Sequence, residues 1–204
     1  MCICTNIFFV TAMTEESEID RSISETIRLW NQSKREIFRL QLLNTYWEDT
    51  KTDAFKEFMK GKPIDPMENP GFKDFVEDIA KKRADGVNIV NMQVLDLPIS
   101  DALRFGMGFL RVSEKNGQRS LFVERKNVTD LVKGFKDFYV FDSEIVMNII
   151  YDKNLEGRYL GSEKIITDPK EVTIYTNLRD KLIEKAFPME DFLKEHHIDI
   201  FSNS

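Results

Sequence analysis

Of the residue types that most often do chemistry, histidine and cysteine are the scarcest in this chain. Only His196 and His197, and only Cys2 and Cys4, occur among 204 residues. An imidazole is the usual partner of a Ser or Cys nucleophile, and two or three of them are the usual ligands of a catalytic zinc. Both imidazoles lie within nine residues of one end of the sequence and both thiols within four of the other, where a chain seldom provides a rigid scaffold. The C-x-C spacing of Cys2 and Cys4 has no second pair to complete a metal site. Two cysteines also make no disulfide framework, which points to a reducing, cytoplasmic setting. No catalytic set, no metal and no cofactor are therefore expected, and the sequence argues against an enzyme.

What is left are candidates for binding. Arg104 follows an apolar run and a helix start, the place where parallel-sheet proteins hold anions; its plainer reading is an ion pair with Asp101, three residues earlier. Asp137 and Asp142 flank the short run Phe138 to Phe141. A carboxylate pair can serve acid–base work, but this offset puts the two at opposite ends of a strand, and Asp142 reads as a turn residue. Arg39 and Tyr46 either line the same cleft as Arg104 or close the N-terminal segment over a sheet. His196 and His197 read as an exposed tail end.

The elements that must position these residues follow from periodicity. Ile19, Ile23, Ile27 and Trp30 lie on one face of a helix from about Thr14 to Asn31. Phe38, Leu40 and Leu42 alternate with Arg39 and Gln41, which favours a short strand, although Ile37 and Leu43 also fit a helix, and Asp53 to Lys60 reads as a helix stopped by Gly61 and Pro63. A helix from Gly71 to Asp85 has Pro70 at its start, Phe72, Phe75, Val76 and Ile79 on one face and Gly86 as its stop. Val87 to Leu95 is a strand, and Ser100 caps a helix through Leu103 to Leu110. Leu121 to Glu124 is a further strand. Phe138 to Phe141, Ile145 to Tyr151 and Tyr159 to Ile166 form an antiparallel meander. Asp168 and Pro169 open a long helix to about Ala186, and Pro188 opens a last short one. The expected fold is α/β (α+β), a mixed sheet with one parallel crossover and an antiparallel meander, flanked by helices. Residues 1–12 read as an extension outside the fold, upstream of a start at Met13, 13–32 as an amphipathic helix, 33–196 as a single α/β domain and 197–204 as a flexible tail.

Composition agrees with a globular chain: 42% hydrophobic and 31% charged residues, 9 Gly, 6 Pro and 16 Phe. At this length roughly 70% of the unfolded surface can be buried without a metal or disulfide. The apolar runs fall well short of the roughly 20 residues of a spanning helix, so no membrane partner is expected. The formal net charge of −6 sits at the two ends, −3 in residues 1–31 and −3 in 189–204. Within the neutral body, Arg111 to Lys136 holds seven bases against three acids. The pI of 5.1 does not suit a generic nucleic-acid binder, so nucleic acid is not an expected partner.

The stretch from about Ser33 to Glu195 resembles the bacterial domain-of-unknown-function family numbered 6879. The likeness is carried by Phe38-Arg39-Leu40 with Leu43 and Tyr46, by the helix ending in Gly61, and by Leu97-Pro98-Ile99-Ser100-Asp101 leading to Leu103-Arg104-Phe105. It continues in Asp137-Phe138 with Phe141-Asp142, in Tyr159-Leu160-Gly161 before Asp168-Pro169, and in Arg179-Asp180. The family usually has Glu where this chain has Gln41, and Arg where it has Asn91; a charged pocket on those positions would be weakened here. The resemblance implies a protein encoded beside helix-turn-helix regulators. More distantly, the meander is similar to the phospholipase D superfamily, whose His-x-Lys-x4-Asp segment supplies a nucleophile, a phosphate ligand and a supporting carboxylate. Aligning Asp142 with that Asp puts Phe135 at the His and Asp137 at the Lys, which implies a degenerate, non-catalytic relative with a cleft lined by Arg104, Phe135 and Asp137.

Two readings follow. The first is a non-enzymatic accessory or regulatory domain that binds a small anionic ligand or a partner protein, such as a helix-turn-helix transcription regulator. The second is a metal-dependent or His-independent phosphodiesterase or nuclease using Arg104 with Asp101 or Asp137.

Overall fold

The computed structural model describes residues 18–152 and 157–200. The extension expected over 1–12 and the expected helix start at Thr14 lie outside them. Helix α1 (Glu18–Gln32) leads into strand β1 (Glu36–Gln41), followed by the short helices α2 (Trp47–Lys51) and α3 (Asp53–Phe58). Helix α4 (Pro70–Ala84) has the start and stop that its sequence announces. Asn69 accepts the Phe72 N–H at 3.0 Å, Pro70 occupies the first turn, and Gly86 takes a left-handed φ of 87° as the chain leaves the helix. Strand β2 (Asn88–Leu95), helix α5 (Asp101–Lys115) and strand β3 (Gln118–Glu124) come next, and the Ser100 hydroxyl caps α5 by accepting the Leu103 N–H at 3.1 Å.

A short helix α6 (Thr129–Val132) precedes the meander β4 (Phe138–Phe141), β5 (Ile145–Tyr151) and β6 (Tyr159–Ile166). Helix α7 (Pro169–Lys185), capped by Asp168 through the N–H groups of Lys170 and Glu171, leads to β7 (Phe187–Pro188) and α8 (Met189–Glu195). Among the described residues the strands form one seven-stranded sheet in the order β6-β5-β4-β1-β2-β3-β7.

The mixed sheet and the meander are as the sequence predicts, with one addition. β1 pairs parallel with β2 and β2 parallel with β3, so there are two parallel crossovers, the first through α2, α3 and α4. The alternation at 38–42 identifies a strand but says nothing of its partner. Two-residue β7, antiparallel to β3, is too short for any period to show.

Side chains alternate along a strand, so the sheet has two distinct faces. On one, Phe38, Leu40, Val90, Met92, Val94, Leu121, Val123, Phe138, Val140 and Val146 pack beneath α6 and α7 through Val132, Val172, Leu178 and Leu182. The other is covered by α1, α4 and α5, with Ile37, Ile89, Phe141, Met147 and Ile149 meeting Leu29, Phe72, Phe75, Ile79, Phe105 and Phe109. α8 extends that layer, and Met189, Phe192 and Ile200 pack on Leu95 and Phe122. The packed body thus includes α1 and reaches Ile200, beyond the bounds 33–196 expected for the domain. No described helix is long and apolar enough to cross a membrane.

Candidate functional site

The face under α1, α4 and α5 carries a row of buried polar residues across adjacent strands: Arg39 and Gln41 on β1, Asn91 and Gln93 on β2, Gln118 and Ser120 on β3, and Asp137 immediately before β4. Strand register makes them neighbours, since Arg39 pairs with Asn91, Gln41 with Gln93 and Asn91 with Ser120. A buried polar group is costly unless partnered, so a continuous polar row across the middle of a sheet is a feature to explain.

Asp137 is the most heavily bonded member. Its carboxylate accepts the Leu42 N–H at 2.8 Å, the Tyr46 hydroxyl at 2.8 Å and the Tyr151 hydroxyl at 2.9 Å. Burial raises its pKa above the ordinary carboxylate value, opposed by the bonds from Tyr46 and Leu42, the charge of Arg39 and the Tyr151 bond. Burial also lifts the Tyr151 phenol well above its usual range, reinforced by the charge of Asp137, so this hydroxyl remains a donor. The Tyr46 and Tyr151 rings meet edge to face with centroids 5.8 Å apart, and Arg39 lies over the Tyr139 ring, 5.5 Å from its centroid. With both oxygens engaged by fixed donors and no imidazole beside them, the Asp137 carboxylate is held as a structural acceptor.

Beside this cluster is a cavity of about 70 Å3 between α1, α4 and the sheet. Arg39, Asn91, Gln118 and Tyr139 line its sheet side, and Thr26, Ile27, Trp30 and Asn31 of α1 close it. α1 is held in place by the Trp30 indole N–H, which donates to Asp78 of α4, and by the Lys82 ammonium, which donates to the Asn31 and Ser33 carbonyls at 2.8 and 3.1 Å.

The residues singled out from sequence divide into separate groups. Arg39, Tyr46 and Asp137 come together, as described. Arg104 does not join them: it pairs with Asp101 on α5 and borders other clefts. Phe135 is elsewhere again. It packs beneath α7, edge to face with Tyr175 at 5.5 Å and against Phe138 at 6.4 Å, in the apolar layer on the opposite side of the sheet. The cleft expected between Arg104, Phe135 and Asp137 is therefore split by the sheet itself. Strand alternation cannot be extended back from Asp137 to Phe135, because β4 begins only at Phe138.

Asp142 is a turn residue, as its sequence context suggests. It and Ser143 take left-handed φ values of 54° and 59°, and its carboxylate accepts the N–H groups of Lys34, Arg35 and Glu36 at 2.7–3.1 Å. His196 is half-buried against Phe192, with ring centroids 4.3 Å apart, and His197 is exposed. Among the described residues no group of three or more His, Cys, Asp or Glu side chains is placed to hold a metal.

The participants missed from sequence are Tyr151, Gln93, Gln118 and Ser120. A signal was present for three of them: polar residues two apart, on one face of otherwise apolar strands. The substituted positions Gln41 and Asn91 fall within this same row.

The family model for a domain of unknown function, DUF6879, matches residues 24–194. The chain belongs to this family. The matched span includes the whole polar row of this DUF6879 domain and every strand and helix from β1 to α7. No curated protein sequence matches it. Two solved structures are similar in outline. TrmBL2, described as an archaeal chromatin protein with a novel mode of DNA binding, is 15% identical, with 83% of this chain and 51% of that one covered and a TM-score of 0.47. Nuc from Salmonella typhimurium, a phospholipase D family member, is 11% identical, with 82% and 91% covered and a TM-score of 0.46. The DUF6879 chain spans about half the length of the chromatin protein. Likenesses this distant carry no argument about activity.

Proposed function

We propose that this DUF6879 domain is a non-catalytic binding module that takes a small anion on the polar row beneath α1 and acts as an accessory to a partner protein, such as a helix-turn-helix regulator. The observation that carries the reading is Arg39, a residue only 4% exposed on the wall of a part-open cavity shared with the amides of Asn91 and Gln118. A guanidinium in low dielectric is the strongest ready-made partner for an oxyanion, and amide N–H groups extend the donor set. The size of the cavity limits the ligand. About 70 Å3 admits a few waters or an anion of four or five heavy atoms, whereas cofactor and drug-sized ligands need roughly 300–1,000 Å3. α1 forms one wall, so an occupant is coupled to the position of that helix, which gives a route from ligand to partner.

The test is calorimetric titration and thermal melting of the full chain with nitrate, acetate, formate and bicarbonate. One of these is expected to bind saturably and raise the melting temperature, and Arg39→Gln is expected to abolish both effects. If none of the four binds, or if the Gln variant binds as well, the reading fails. Hydrolysis of a phosphodiester that disappears in Asp137→Asn would establish the enzymatic reading in its place.

A further inference from the structure

We infer that the cleft bordered by Arg104, His196 and His197 is a second binding site, for the phosphate group of a phosphomonoester, independent of the Arg39 cavity. The cleft has a volume of about 480 Å3 and is lined by Leu97, Pro98, Ile99, Arg104 and the stretch His196 to Asp199. This volume falls in the usual range for small-molecule sites, and its position, past the carboxyl end of β2, is where parallel sheets hold ligands.

Three observations meet there. The Arg104 side chain is nine-tenths buried, with only 10% of its surface exposed, so its charge is weakly screened by solvent. The only two histidines in the sequence stand on the same wall, carried on the end of α8, so an element distant in sequence completes the cleft. The remaining surface from Leu97, Pro98, Ile99 and Ile198 is apolar, suited to the organic body of an ester. A guanidinium offers paired N–H donors to phosphate oxygens, and each imidazole offers a further N–H.

Two carboxylates are also present. Asp101 pairs with Arg104 but is 42% exposed, and Asp199 is exposed. A phosphate competes with Asp101 for the guanidinium. His197 takes a left-handed φ of 53° at the end of α8, a position that glycine fills more easily. His197 lines the same cleft as Arg104.

Having only two histidines makes the test direct. Imidazole carbon–proton NMR of the full chain should show two sets of signals. On titration with phenyl phosphate both should shift saturably, and inorganic phosphate should give the same pattern with lower affinity. Arg104→Gln should weaken binding about tenfold or more, the loss of a charge-assisted pair, whereas Arg39→Gln should leave it unchanged. Absence of a saturable shift, or the same affinity in Arg104→Gln, overturns the proposal. If Arg104→Gln does not fold, His197→Gln, at an exposed position, serves instead: calorimetric affinity for phenyl phosphate should fall at least about threefold for loss of one donor, and an unchanged affinity overturns the proposal. Loss of binding in Arg39→Gln as well would place the ligand in the other cavity.

Discussion

Both faces of the sheet are covered by helices and carry apolar clusters, but only one of them also carries a row of buried charged and amide side chains. Under α7, β1, β2 and β4 present Phe38, Leu40, Val90, Met92, Phe138 and Val140, an unbroken apolar layer. One residue further along β1 and β2, the face beneath α1 presents Arg39, Gln41, Asn91 and Gln93, with Asp137 immediately before β4, all buried. Packing alone explains the first face. The second bears the desolvation cost of a guanidinium, a carboxylate and several amides, which apolar residues of similar size would avoid. That contrast locates the specialised side of the domain.

The largest effect that would test the contrast is expected on the apolar face. Phe138 is fully buried between Phe38 and Tyr175. Phe138→Ala should cost about 3–5 kcal/mol in urea unfolding, a fall of roughly 6–20 °C in melting temperature for a chain of this size. Anion binding by the variant at a temperature where it is folded should be intact. A coupled loss of binding would show that the two faces do not act separately.

On the polar face, Asp137→Ala leaves the Leu42 N–H and the Tyr46 and Tyr151 hydroxyls without their acceptor. The expected destabilisation is about 2–4 kcal/mol, chiefly from stranded donors rather than lost volume. Tyr46→Phe and Tyr151→Phe should each cost about 1 kcal/mol, the net worth of one hydrogen bond. If Asp137→Ala cost no more than either Tyr variant, the three donors would not depend on this carboxylate as their acceptor.

The pH dependence sharpens the comparison further. The pKa of Asp137 is raised in the folded chain, chiefly by burial, so the folded state holds this proton more tightly than the unfolded state. The stabilising contribution is fully present below the ordinary carboxylate pKa and is lost as pH rises through the raised value. Asp142 behaves in the opposite sense. Burial pushes its pKa up, but the N–H groups of Glu36, Lys34 and Arg35 together with the Arg35 charge hold it below the ordinary value. Its contribution is present above the ordinary carboxylate pKa and is lost as pH falls through the lowered one. Compared with wild type across a urea series at different pH values, Asp137→Asn should therefore gain relative stability as pH rises, and Asp142→Asn should gain it as pH falls. Parallel slopes for the two variants would contradict the assignment.

The smallest effect is expected at the exposed turn, outside both faces. Ser143→Gly relieves a left-handed φ and removes the hydroxyl contacts to Glu36 and Arg179. These oppose each other, and the net change should stay within about 0.5 kcal/mol, typical of surface substitutions. A larger loss would mean that the side-chain contacts at this turn outweigh backbone strain.

Features encoded within a few residues were legible in the sequence itself. Pro70 and Gly86 bound α4, Ser100 caps α5, Asp168 and Pro169 open α7, and the meander has its three strands in order, because capping, turn chemistry and periodicity act over one or two turns of chain. The mixed α/β class followed from the order of those elements. Tertiary structure decided what depends on which strands become neighbours. Placing β1 between β4 and β2 lines up Arg39, Asn91 and Asp137 from segments about fifty residues apart. It also turns Phe135 to the far side of the sheet from Arg104, and carries α8 back so that His196 and His197 border Arg104. Strand order is set by burial of whole faces, a sum over contacts distant in sequence, whereas the period of a single segment reports only that it has a face to bury.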